Sequence, residues 1–148
     1  MVDMVTEQER LAIEHACARL AVDYSYYADS QQLEAWSKLF AEDAEMTLFG
    51  QTHKGRAAIL ASLNGGNGGA IASFHSNSNI RIDVVSPTEA KGTVGVTLFA
   101  APRKDGVAQV KEITPAVVGH YVDEYRKTAE GWRIARRGFN MVISRTQA

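Results

Sequence analysis

The chain has 148 residues, 45% hydrophobic and 22% charged, with a formal net charge of −1. That length suits one domain with a core of its own, and the composition is globular, not disordered or fibrous. The near-neutral balance gives no basic footprint for nucleic acid or an anionic membrane, and no run approaches the roughly 20 apolar residues of a membrane span.

Cys17 is the only cysteine, so no internal disulfide can form and the expected compartment is the cytoplasm. The opening "MVDMVTEQER" has acids where a secretory leader needs a basic start and an apolar run.

In chain order, "TEQERLAIEHACARLAVDYSYYA" opens on Thr6-x-x-Glu9, a capping box that satisfies free amide donors at a helix start. Ile13, Cys17, Leu20, Tyr24 and Tyr27 follow at steps of three and four, the apolar stripe of a helix. "DSQQLEAWSKLFAEDA" predicts a second helix with Leu33, Trp36, Leu39 and Phe40 on one side. "EMTLFGQTHKG" reads as two short strands around Gly50, and "GRAAILASL" as a short third helix. "NGGNGGA" holds too much glycine to keep a fixed shape alone. It lacks the Gly-Lys-Ser/Thr of a phosphate loop and reads as a mobile flap at a cavity mouth, or simply as a long loop.

The period then changes from 3.6 to 2. "FHSNSNIRIDVV", "AKGTVGVTLFAA", "ITPAVVGHYVDEYRK" and "GWRIARRGFNMVIS" are four long strand candidates rich in Val, Ile, Thr and aromatics. "SPTE" and "RKDG" supply turns, and "TAEG" joins the last two strands as a hairpin. No repeat and no linker divides the chain, so residues 1–148 read as a single domain. Three helices followed by a meandering antiparallel sheet is an α+β pattern. A long sheet must twist, and wrapped against helices on one side it makes a cone able to hold a small molecule.

The order of these elements, with "YYADSQQLEAWSKLFAEDAEM", "HKGRAAIL", "FHSNSNIRID" and "GHYVDEYRKTAEGWRIARR", resembles the SnoaL-like branch of the NTF2-like (cystatin-like α+β barrel) superfamily from Thr6 to Ser144. The superfold hosts lyases, isomerases, cyclases, hydrolases and binding domains, so the resemblance speaks more to fold than to reaction. Within the branch the positions match small lyases of the scytalone dehydratase, bile-acid dehydratase and hexachlorocyclohexane dehydrochlorinase types. These carry an aspartate at the junction of the first two helices and a histidine early in the following long strand, the places of Asp29 and His75. Tyr24 matches a tyrosine five residues before the aspartate in the bile-acid type. Arg137 matches an arginine five residues after the hairpin tryptophan, here Trp132, in the dehydrochlorinase type. A further cavity histidine and an extra strand acid of these enzymes fall near Ala116 and Leu98, so their substrates are not implied.

An Asp29–His75 pair has a clear chemistry. A neutral imidazole accepts a proton near physiological pH, and a carboxylate that takes the Nδ1 hydrogen fixes the tautomer and stabilises the imidazolium. Against this, Asp29-x-x-Gln32 is itself a capping box for the second helix. Strict alternation also groups His75 with Asn77, Asn79, Arg81 and Asp83, opposite Ile80, Ile82 and Val84, which is the pattern of a solvent face. A bulge within "SNSN" would turn His75 inward while Ile80 and Ile82 still pack.

Tyr24 lies on the apolar stripe and is either core or a hydroxyl aimed at a substrate oxygen. Tyr27 is a candidate wall residue for substrate binding. Arg137, in "RIARR", reads from residue type as a solvated strand face; buried, it would stabilise a leaving anion or enolate oxygen. His120, between Gly119 and Tyr121, is a second candidate substrate contact, against the plainer reading of a hydrogen-bonded core histidine. His15 and His53 read as surface residues, and Cys17 as a small buried hydrophobe.

No spacing suits a metal, and proton abstraction requires no cofactor, so neither is expected. The expectation is a cofactor-independent lyase of the dehydratase type, or an isomerase, acting on a small, apolar, oxygenated or ring-containing molecule. The alternatives are a non-catalytic binding or assembly module and the small subunit of a ring-hydroxylating dioxygenase. Small residues and apolar residues on both strand faces of "GTVGVTL" and "PAVVGHYV" predict a homo-oligomer, dimer or trimer.

Overall fold

The computed structural model describes residues 4–64 and 70–144. Most of the glycine-rich segment, and with it the expected flap, lies outside the described residues.

Helix α1 (Glu7–Asp29) begins as its first residues require. The Glu9 N–H donates to Thr6 Oγ1 at 3.2 Å, and the Thr6 N–H donates to Glu9 Oε2 at 2.8 Å. Glu7 and Glu9 also place negative charge against the exposed amide end of the helix. The stripe of Ile13, Cys17, Leu20 and Tyr24 is buried, widened by Ala21, Ser25 and Ala28.

The second helix is much shorter than expected. Helix α2 covers only Leu33–Ser37, and strand β1 (Phe40–Leu48) occupies the segment where the helical stripe was read to continue. The cause is tertiary. The Ile134 N–H donates to the Leu39 carbonyl at 2.9 Å, and Arg56 donates to the Phe40 carbonyl from Nη2 at 2.7 Å and Nε at 3.0 Å. Carbonyls that a longer helix would use internally are bonded across the fold instead. Trp36, Leu39 and Phe40 are buried, as the stripe demanded, by a different backbone.

The chain continues through β2 (Gln51–Lys54), α3 (Arg56–Asn64), β3 (Ile71–Ser86), β4 (Glu89–Lys104), β5 (Val107–Ala108), β6 (Val117–Thr128) and β7 (Gly131–Ser144). The three expected turns join β3 to β4, β4 to β5 and β6 to β7. At the second, Asp105 and Gly106 both take positive φ, 53° and 85°, as a two-residue hairpin favours. The strand order is β2-β1-β7-β6-β4-β3, with β5 beside β4. β1 runs parallel to β7, and the other pairings are antiparallel. The fold is α+β with helices packed on a mixed sheet. The sheet is not closed into the expected barrel; β2 and β3 are its free edges.

Helix α1 packs across β3, β4 and β7, and between them lie Met46, Val94, Val96, Tyr121, Tyr125 and Ile134. β3 has one irregularity that decides the site. Its register with β4 shifts between Ser78 and Arg81, and Asn79 sits at φ 47°. The extra residue reverses the alternation. Ile80, Ile82 and Val84 pack on the core, while upstream His75 and Asn77 face α1. Among the described residues, no helix is long and apolar enough to cross a membrane.

Candidate functional site

Two repeats of similar length meet along the seam between α1 and β3. Four helical residues rise about 6 Å and two strand residues about 6.6 Å. Ala21, Ser25 and Asp29 on the helix therefore stay in step with Asn77, His75 and Ser73 on the strand. Ser25 Oγ donates to Asn77 Oδ1 at 3.1 Å, and Asn77 Nδ2 donates to the Ala21 carbonyl at 3.2 Å. At the end of the seam Asp29 takes three donors. Ser73 Oγ donates to Oδ1 at 2.9 Å, the His75 backbone N–H donates to Oδ2 at 2.7 Å, and His75 Nδ1 lies 2.6 Å from Oδ1.

Burial works to raise the Asp29 pKa, but the hydrogen bonds from the His75 ring and backbone, the charge of His75 and the Ser73 hydroxyl outweigh it. The net result is a carboxyl held below its ordinary value. An ionised carboxylate only accepts, so the network assigns the ring proton to Nδ1 and leaves Nε2 with its lone pair free. The imidazole side chain keeps 13% of its exposure.

The structure removes the capping role for Asp29. Asp29 is the last residue of α1; the N-cap of α2 is Gln32, which makes no side-chain cap bond. It also removes the solvent-face reading of His75, through the register shift in β3.

Tyr24 is 3% exposed. Its ring meets that of His75 edge-on at 6.2 Å and touches Trp36 and Tyr121, each at 5.4 Å. Its hydroxyl lies 4.0 Å from Met46 Sδ, and burial pushes its pKa up. Arg137 is not on a solvated face: its exposure is 0%. Nε and Nη2 donate to the two oxygens of Asp123 at 2.8 and 2.7 Å, while Tyr125 Oη donates to Asp123 Oδ2 at 2.6 Å. The guanidinium lies between the rings of Tyr24 and Tyr121, 4.2 and 4.0 Å from their centroids, and Nη1 has no hydrogen-bond partner among the described residues. Burial pulls its pKa down, but the charge and hydrogen bonds of Asp123 overcome this and raise it. Arg137 thus meets the site from behind Tyr24.

His120 does not join this group. It alternates with Tyr121 on β6 and pairs with Gly95 and Asn140. Its side chain faces the opposite side of the sheet, and the expected substrate contact is corrected accordingly. Tyr27 is half-buried at the rim of the core, its ring 5.5 Å from that of Tyr26. His15 is exposed and His53 half-buried on β2. Cys17 is fully buried, and burial with the nearby Asp123 charge pushes its thiol up to about 12. Among the described residues, no three His, Cys, Asp or Glu side chains gather to hold a metal ion.

Four site residues escaped the sequence analysis: Ser25, Ser73, Asn77 and Asp123. Ser73 and Asn77 flank His75 at two-residue spacing, and Ser25 precedes Asp29 by one helical turn. That was signal enough once the pair itself was suspected. Asp123 stands between Tyr121 and Tyr125 on one strand face, a charge in an aromatic row that calls for a buried partner.

The model of a family described as the SnoaL-like domain matches residues 9–138. The chain belongs to the SnoaL-like domain family. Among solved structures, this SnoaL-like chain is similar to a protein from Novosphingobium aromaticivorans described as a candidate scytalone dehydratase. That similarity is at 30% identity over 93% of this chain and 89% of the other, with a TM-score of 0.79. An NTF2-like protein with a cystatin-like fold from the same organism is 27% identical over 96% and 92%, with a TM-score of 0.75. The hexachlorocyclohexane dehydrochlorinase LinA-type3 of Novosphingobium barchaimii is 22% identical over 93% and 92%, with a TM-score of 0.77; at that identity the likeness is one of fold. No curated protein matches the chain.

Proposed function

We propose that this SnoaL-like protein is a cofactor-independent lyase that eliminates water, or a comparable leaving group, from a small, largely apolar, oxygenated or ring-containing molecule. The observation that carries the reading is the 2.6 Å contact between Asp29 Oδ1 and His75 Nδ1, which leaves Nε2 as a base. Neighbours named for a dehydratase and a dehydrochlorinase support a lyase-like or ligand-binding role.

In the proposed step, Nε2 takes a proton from carbon beside an electron-withdrawing group. The C–H pair becomes the new C=C bond, and the adjacent C–O bond breaks with its pair on oxygen. The imidazolium, stabilised meanwhile by Asp29, returns its proton to the departing hydroxide, so that water leaves and the base is restored. Tyr24, kept as a phenol by burial, supplies a hydrogen bond to the oxygen on which charge develops. Arg137 assists from behind, since its positive charge favours charge build-up at that phenol. Return of the proton to a different carbon by the same base would make the enzyme an isomerase.

The test uses small cyclic β-hydroxy ketones and their thioester analogues, followed by the absorbance of the conjugated double bond. His75→Ala and Asp29→Asn are each expected to lower turnover by about 10²–10⁴-fold while circular dichroism stays unchanged. Full turnover in either variant rules the mechanism out. Saturable binding of these compounds without turnover in the wild type would favour a binding module.

A further inference from the structure

Three donors converge on the Asp29 carboxylate, and one of them has no part in the acid–base step. Ser73 Oγ reaches Oδ1, the oxygen that also receives His75 Nδ1. Ser73 precedes His75 by two residues on β3, so the strand's alternation delivers both side chains to one face. A carboxylate oxygen offers two lone-pair directions; with the hydroxyl on one, a single direction remains for the imidazole. The second donor also takes up part of the negative charge that would otherwise bind the ring proton.

We propose that Ser73 is a positioning residue of the dyad, whose hydroxyl selects the lone pair of Asp29 Oδ1 that meets the imidazole and moderates the carboxylate's hold on the Nδ1 proton. The inference rests on the reading of His75 as the base. An imidazolium gripped too firmly is slow to give its proton to a leaving group, and one gripped too loosely is a weak base. The other groups around His75 are accounted for. Tyr24 of α1 faces it edge-on, and β4 sets the uncharged Leu98 opposite it. Arg137 of β7 stands behind Tyr24, paired with Asp123 of β6. Replacing Ser73 leaves each of these in place.

The experiment is nuclear magnetic resonance on the substrate-free protein, following the Asp29 side-chain carboxyl carbon and the His75 Nδ1–H across pH. In Ser73→Ala the Asp29 carboxyl is expected to titrate about half a unit higher, roughly a threefold change in its dissociation constant. The Nδ1–H signal should move downfield, because its acceptor is no longer shared. In Ser73→Thr, which keeps the hydroxyl, both signals should match the wild type. An unmoved Asp29 titration in Ser73→Ala, or a Ser73→Thr that behaves like Ser73→Ala, overturns the proposal. Because no turnover is measured, failure here is separate from failure of the lyase reading, which the His75→Ala and Asp29→Asn rates decide.

Discussion

Asp29 is a carboxylate whose pKa burial works to raise and whose three hydrogen-bond donors bring it below the ordinary value. Its depressed folded pKa fixes the sign of its effect on stability. The contribution is fully present above the ordinary carboxylate value of about 3.9 and is lost as pH falls through the lower folded value. Asn in its place can turn an oxygen to Ser73 and the imidazole only by turning its amide hydrogens toward the His75 backbone N–H. At neutral pH Asp29→Asn should therefore cost about 1 kcal/mol, allowing for partial solvent screening. That corresponds to a melting temperature lowered by roughly 2–4 °C. Protonated aspartic acid has the same donor problem, so the gap should begin to narrow below about pH 4 and go on narrowing as pH falls toward the lower folded value. Thermal unfolding of both proteins at pH 7 and pH 3 measures it, and a gap that stays constant would show that this carboxylate is not held ionised by its partners.

Between elements, β6 and β7 are joined by more than their ladder, since Asp123 and Arg137 pair in register with both side chains fully buried. Removing one partner strands a charge in the core, whereas removing both removes the desolvation cost with the attraction. Asp123→Leu and Arg137→Met should each cost about 3–5 kcal/mol, a fall in melting temperature of roughly 10 °C or more. The double variant should lose less than either single one, retaining a deficit of about 1 kcal/mol for the Tyr125 hydroxyl that loses its acceptor. Additive losses in urea unfolding would show that the two charges stand independent of each other. This pair also marks the limit of what the sequence made readable. "RIARR" looks like a wet strand face because polarity is read per residue, while burial depends on a partner fourteen positions earlier. Likewise Leu33, Trp36, Leu39 and Phe40 form a helical stripe, yet bonds from Ile134 and Arg56, far along the chain, end the helix at Ser37 and put Phe40 into β1. Where one local pattern sufficed, as in the Thr6 capping box, the strand turns and the α1 stripe, the elements were legible. The Asp29–His75 contact was read from the family resemblance and needed an assumed bulge, which the left-handed Asn79 supplies.

At the scale of the molecule, the helices cover one face of the sheet, and among the described residues no helix covers the other. Two full rows cross four strands on that bare face, one of Ser78, Gly95, His120 and Asn140, the other of Ser76, Thr97, Val118 and Ile143. Neither row contains a charged residue, in a chain where 22% are charged. Gly95, with no side chain, helps to leave a depression of about 450 Å³ that His120, Val118 and Val142 surround. Val142, in its wall, stands 64% exposed. This part of the face, uncharged and partly apolar next to the charged row of Asp83, Lys91, Glu124 and Arg136, suits a copy of itself better than water, because a second chain presents the same uncharged rows and protruding Val142. The expected state is therefore a homo-oligomer built on this face, and His120 would lie within that contact. Val142→Asp puts a carboxylate against the uncharged rows of the facing copy, so it should shift the protein to monomers while leaving the Asp29–His75 site on the other side of the sheet intact. Size-exclusion chromatography with light scattering reads the outcome directly. A wild type that is monomeric at tens of micromolar, or a Val142→Asp variant that still assembles, would mean that this face is not the contact surface.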